Sequence, residues 1–85
     1  LPSETKTSES RTQETLTNEV RLLRFLAGDM TQQELGRRVG LTRQTIAAIE
    51  QGRYSPSLEV AFRIAWVFGK RIDEVFTWTP AEGQG

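Results

Sequence analysis

Apolar residues return every three or four positions through the middle of the chain, and glycine or proline punctuates the stretches between. Val20, Leu23 and Leu26 lie three apart and predict the buried stripe of a first helix over about 18–27, with Thr17 as its N-cap. Gly28 ends that helix. Thr31 caps a second one, and Glu34 three residues later completes a capping box, in which hydroxyl and carboxylate each accept from the other residue's N–H. Leu35 and Val39, four apart, turn this helix inward, and Gly40 suits the left-handed position after its end. Leu41 plugs the turn and Thr42 caps a third helix over about 43–51, whose large apolar anchors are Ile46 and Ile49 alone.

Gly52 stops the third helix, and a loop through Arg53, Tyr54, Ser55 and Pro56 leads to Ser57, the N-cap of a fourth. There Leu58, Ala61, Ile64, Ala65 and Phe68 recur at helical spacing until Gly69. A short fifth helix over about 72–76 lays Ile72, Val75 and Phe76 on the core, and no stretch reads convincingly as a strand. The expected fold is all-α, a compact five-helix domain over 17–78. Residues 1–16 hold hardly an apolar side chain and cannot offset their ordering entropy, so they read as a disordered polar tail. Residues 79–85 read as a flexible C-terminal end.

Composition removes most chemistries. A chain of 85 residues holds one small domain, and it has neither cysteine nor histidine. Disulfides, thiolate metal sites, the commonest metal ligand and the usual general base are therefore excluded. With only scattered carboxylates left, no nucleophile–base pair or metal cluster assembles, and neither catalysis, cofactor nor metal is expected. No apolar run approaches the roughly 18 residues that span a bilayer, and no signal-peptide pattern opens the chain. A soluble cytoplasmic protein without a membrane partner is the expectation.

The formal net charge of zero averages unlike parts. Residues 20–71 carry nine cations against four anions, a net of +5, whereas 1–19 carry −2 and 72–85 carry −3. A phosphate-binding surface responds to the local field, so the folded part suits a nucleic-acid partner despite the neutral total.

The run from Thr31 to Gly52 is where that field acquires a geometry. Two short amphipathic helices joined by a tight turn form a device for laying the second in the DNA major groove. With Ile46 and Ile49 inward, Arg43, Gln44, Ala47, Ala48 and Gln51 share the opposite face. Arg43 can bond guanine O6 and N7 together, Gln44 can do the same with adenine N6 and N7, and the alanine methyls can meet a thymine methyl. Gly36 adds a second pointer. A glycine inside a helix costs about 1 kcal/mol relative to alanine, and close contact between the second and third helices would offset it.

Residues 19–76 resemble the Cro/repressor type of helix-turn-helix domain, the lambda-repressor-like or Xre family of phage repressors and many small bacterial regulators. The resemblance rests on Thr31-Gln32, Glu34-Leu35, Gly40, the Thr42-Arg43-Gln44-Thr45-Ile46 block, Ile49-Glu50, Gly52, Pro56-Ser57-Leu58, Ile64-Ala65 and Asp73-Glu74-Val75-Phe76. It implies double-stranded DNA as partner, with Arg43, Gln44 and Ala48 at base-reading positions and Ala47 beside them. It implies phosphate contacts from Gln32, Thr42, Thr45, Arg53 and Tyr54, and a structural ion pair between Glu50 and an arginine of the first helix, Arg24. Three departures from the family pattern bear on these roles. The link 27–30 is one residue longer than usual, Ala48 stands where a longer polar reader is frequent, and Arg71 replaces the serine or proline that opens the last helix.

Trp66 falls roughly 100–130° from the centre of the fourth helix's core arc, at about 100° per residue, and Phe62 precedes it by one turn. The family usually has a charge at that position. Two outcomes are open: Phe62, Trp66 and Trp78 form a surface for a dimer or partner protein, or Trp66 packs on the first helix beside Leu22 and Phe25. The expected function is a sequence-specific DNA-binding transcriptional regulator, a repressor working as a homodimer on an inverted repeat. The alternative is a protein-interaction module, such as an antitoxin gripping a partner protein through the Trp66 flank.

Overall fold

A computed structural model describes residues 15–81. Within them the chain forms β1 (Thr15–Asn18), α1 (Val20–Leu26), α2 (Gln32–Val39), α3 (Arg43–Glu50), α4 (Leu58–Val67), α5 (Ile72–Val75) and β2 (Phe76–Thr79). The expected flanks at 1–14 and 82–85 lie outside the described residues.

Three helix starts form where the sequence puts them, because the capping bonds are local. Thr31 Oγ1 accepts from the Glu34 N–H at 3.0 Å, Thr42 Oγ1 from the Thr45 N–H at 3.2 Å, and Ser57 Oγ from the Val60 N–H at 3.2 Å. The reciprocal half of the α2 capping box is not made. The Glu34 carboxylate instead accepts from Arg37 at 2.6 Å and from Arg38 at 2.8 Å. At α5 the reverse half exists: Glu74 Oε1 accepts from the Arg71 N–H at 2.7 Å, while the guanidinium has no acceptor to return. Glu74 thus holds the Arg71 N–H, while its own N–H turns to the Arg71 carbonyl at 2.9 Å in place of a side-chain cap.

The all-α expectation needs one correction, a two-stranded antiparallel sheet. β1 pairs with β2 in the register Thr15–Thr79, Leu16–Trp78, Thr17–Thr77 and Asn18–Phe76. Thr15 and Leu16, read as tail, and Thr79, read as flexible end, are therefore strand residues, and α5 stops at Val75 rather than Phe76. Because Thr17 belongs to the strand, it does not cap α1. The N-cap is Glu19, whose side chain makes no capping bond; Asn18, the last strand residue, holds the first helical N–H in its place, its Oδ1 accepting from Val20 at 3.1 Å while its Nδ2 donates to the Ile49 carbonyl at 2.9 Å. One side chain thus starts α1 and ties the sheet to the last turn of α3.

The core gathers Val20, Leu35, Val39, Ile46, Ile49, Ile64, Ala65 and Val75, one or more from every helix. Leu26 and Leu58, expected inside, are 67% and 69% exposed. Each three-residue step turns a helix by about −60°, so two such steps from Val20 carry Leu26 off the buried stripe. Leu58 opens α4, with the inward arc beginning only at Ala61.

Gly36 is buried in the middle of α2, where a β-carbon would run into the backbone carbonyl of Leu41. The Leu41 N–H donates back to the Gly36 carbonyl at 2.8 Å. The close approach is thus made by the α2–α3 turn rather than by α3 itself, and it fixes how tightly the two helices are joined. Among the described residues no helix is long and apolar enough to cross a membrane.

Candidate nucleic-acid interface

α3 is eight residues long, and its two faces differ sharply. Ile46 and Ile49 are fully buried, Ala47 and Ala48 are half-buried, and Arg43 and Gln44 stand exposed in the first turn. The candidate readers are therefore at the open, N-terminal end, where the helix also leaves backbone N–H groups unpaired. The two alanines form a low saddle behind them. Gln51, last on that face, accepts from Arg53 Nε at 2.8 Å.

Arg43 and Gln44 share a shallow cleft of about 420 Å³ with Thr42, Leu41, Gln33 and Arg37. Gln33 and Arg37 were not among the sequence candidates. The signal for them is their spacing of four on the exposed side of α2, which faces the first turn of α3 once the turn is tight. Hydrogen bonds from Arg37 and then Arg38 hold the Glu34 carboxyl down to about 2, and the same contact raises the Arg37 guanidinium. Glu34 thus aligns Arg37 beside the cleft and Arg38 beside the separate groove along α4, and it offsets part of their charge.

The expected phosphate contacts fall into separate groups. Thr42 and Thr45 share a hydroxyl–hydroxyl hydrogen bond of 3.0 Å at the α3 start. Arg53 and Tyr54 are exposed in the loop after α3, at the opposite end of that helix. Gln32 lies at the first position of α2, half-buried, and its Nε2 donates to Glu50 Oε1 at 3.0 Å. Its side chain is thereby tied to α3, leaving the second amide N–H for any outside acceptor.

The expected pair of Arg24 and Glu50 forms. Arg24 Nε and Nη2 donate to the two Glu50 oxygens at 2.6 and 3.0 Å, with side chains only 15% and 6% exposed. The longer link before α2 does not shift Arg24, because Arg24 holds that link itself. Its Nη1 donates to the Met30 carbonyl at 2.8 Å, and its own carbonyl accepts from the Met30 N–H at 2.9 Å. Gly28 and Asp29 absorb the extra residue in left-handed conformations, with φ of 85° and 61°.

The aromatic residues do not form one surface. Trp66 is 82% exposed, and Leu22 and Phe25 are exposed as well, so Trp66 does not pack on α1. Phe62 and Trp66 line a groove along α4, whereas Trp78 lines a different cleft with Leu16, Tyr54 and Pro56.

A helix-turn-helix family model matches residues 21–75, nearly the whole described domain. An uncharacterized HTH-type transcriptional regulator of Methanocaldococcus jannaschii is 46% identical over 54 residues, which cover 64% of this chain and 82% of the relative. One from Methanothermobacter thermautotrophicus is 58% identical over 48 residues, covering 55% and 70%. One from Bacillus subtilis is 46% identical over 65 residues, covering 76% and 96%. The matched span holds α1 through α5 with the capped α2–α3 pair at its centre, and on these grounds the chain belongs to the helix-turn-helix family of DNA-binding regulators, of the Cro/repressor (Xre) type.

Proposed function

We propose that this chain is a sequence-specific transcriptional regulator that lays α3 in the DNA major groove and represses by occluding a promoter. The observation that carries the proposal is the exposure of Arg43 and Gln44 at the N-terminal turn of a helix whose opposite face is wholly anchored. An α-helix fits the groove, which is about 12 Å wide, and these two side chains can each make a bidentate contact to a purine edge. The alanine saddle brings the helix axis close to the bases.

Phosphates would hold this pose from both sides. Thr42 and Thr45 with Arg37 stand at one end of α3, and Gln32 with the Arg53–Tyr54 loop at the other. The Glu50 bond to Gln32 would set the angle at which the remaining amide N–H meets a phosphate oxygen. Two copies on an inverted repeat would place two α3 helices in successive major-groove faces about 34 Å apart. The relatives carry the name of transcriptional regulators, which supports the same conclusion.

Selection of bound sites from random DNA with the purified protein tests this. The expected product is an inverted repeat whose half-sites are centred about one helical turn, or a multiple of it, apart. A pool that never rises above its starting composition contradicts it.

A further inference from the structure

The groove along α4, about 680 Å³, joins an apolar body to a cationic lining. Phe62 and Trp66, one helical turn apart, stand 54% and 82% exposed along it. Arg38 from α2, Arg63 from α4, and Lys70 and Arg71 after α4 line it against a single carboxylate, Glu59. That carboxylate is taken by Arg63 at 2.6 Å. Arg38 and Arg71 hold Glu34 and Asp73 at 2.8 and 2.7 Å. Lys70 forms no ion pair among the described residues, so its ammonium is the cation left for an anion from outside. It lies beyond α4 but is anchored to the last turn. Gly69 takes a left-handed conformation, φ 65°, and the Lys70 N–H donates to the Ala65 carbonyl at 2.9 Å.

We propose that this groove binds a small amphipathic carboxylic acid, a medium-chain fatty acid in type, with its hydrocarbon along Phe62 and Trp66 and its carboxylate at Lys70. The exposed rings call for an apolar body, and the surplus of cations calls for an anion at one end of it. Small-molecule sites are concave and mostly apolar, about 300–1,000 Å³ in volume, with a few polar groups that fix orientation. The groove has each of these properties.

The area argues for a small ligand over a second protein chain. Two rings at these exposures offer about 250 Å², far short of the roughly 800 Å² that each side of a standard protein interface contributes. One hydrocarbon chain needs no more than two aromatic walls. The site stands apart from the reading face of α3 and does not rest on the DNA proposal. It nevertheless lies against the joint between α4 and the α2–α3 pair, because Arg38 belongs to α2 and Arg63 Nη1 donates to the Val39 carbonyl at 3.2 Å.

Titration of the full chain with decanoate, below its micelle concentration, tests the site by two-dimensional NMR. The Trp66 indole N–H and the Lys70 amide should shift and saturate, while the Trp78 indole, in the other cleft, stays in place. Decanol has the chain without the charge and should bind about tenfold more weakly or worse. Octanoate should bind about three- to tenfold more weakly, because it buries two fewer methylenes. Lys70→Gln and Trp66→Ala should each weaken decanoate about fivefold or more, with circular dichroism as the control for folding. Absence of a saturable shift at Trp66 overturns the assignment. So does decanol that binds as tightly as decanoate, or a Lys70→Gln variant that binds as the wild type does. A chain that binds phosphatidylglycerol vesicles but not the free acid overturns it too, in favour of a membrane surface. Trp66 signals that move with protein concentration and not with decanoate overturn it in favour of a second copy.

Discussion

Arg24 and Glu50, 26 residues apart in sequence, meet through two parallel hydrogen bonds of 2.6 and 3.0 Å. The same arginine binds the Met30 carbonyl, and the same carboxylate accepts from Gln32. One ion pair thus joins α1, the link after it, the start of α2 and the end of α3. Its position explains how so small a domain holds α3 rigidly while leaving most of that helix's polar face free.

Breaking this pair from one side leaves a charge in a largely buried place. Arg24→Ala should destabilise the fold by about 3–5 kcal/mol in urea unfolding. Arg24→Lys keeps the charge but loses the fork and the Met30 contact, so it should recover only part of the loss.

Gly36→Ala should also destabilise, though alanine is the better helix former by about 1 kcal/mol. The added methyl meets the Leu41 carbonyl, a backbone atom that moves only with the turn. Overpacking of this kind costs about 1–3 kcal/mol, which outweighs the propensity gain. A higher melting temperature in the variant would contradict the close approach of the turn.

Asn18 joins the sheet to α3 and holds the first N–H of α1 with one amide. Asn18→Ala should cost about 1–3 kcal/mol, the range for losing two part-buried hydrogen bonds. The exchange protection of the Val20 amide should fall with it in hydrogen-exchange NMR.

Glu34 gives a pH dependence whose sign follows from its partners. Arg37 and Arg38 hold its carboxyl at about 2, below the ordinary 4.5. A depressed folded-state value stabilises fully above the unfolded one and loses that contribution as pH falls from about 4.5 towards 2. Glu34→Gln should therefore flatten the acid limb of the stability curve in that window. It also frees both arginines, so binding to random DNA should tighten and its salt dependence steepen.

What the sequence made legible follows the range of each interaction. The caps Thr31, Thr42 and Ser57 could be read because each bonds an N–H three residues on. The Arg24–Glu50 pair came through resemblance, since no local pattern joins residues so distant. The sheet is hidden from the sequence for the same reason: Thr17 and Thr77 lie 60 residues apart, and four-residue strands rich in threonine pass for polar flanks. Leu26 and Leu58 are exposed despite their spacing, because steps of three drift round a helix and its ends open to solvent. In the candidate site, Arg43 and Gln44 could be read from the face opposite Ile46 and Ile49. Arg37 could not, because its place beside them depends on the turn that Gly36 permits.

Binding of the Arg43→Ala and Arg53→Ala variants to a selected site and to random DNA separates base reading by Arg43 from phosphate holding by Arg53. Arg43→Ala should lower discrimination by about 1–3 kcal/mol, with random-DNA binding little changed. Arg53→Ala should weaken both DNAs alike and reduce the salt slope by about one. If both variants bind selected and random DNA as the wild type does, α3 is not the reading helix.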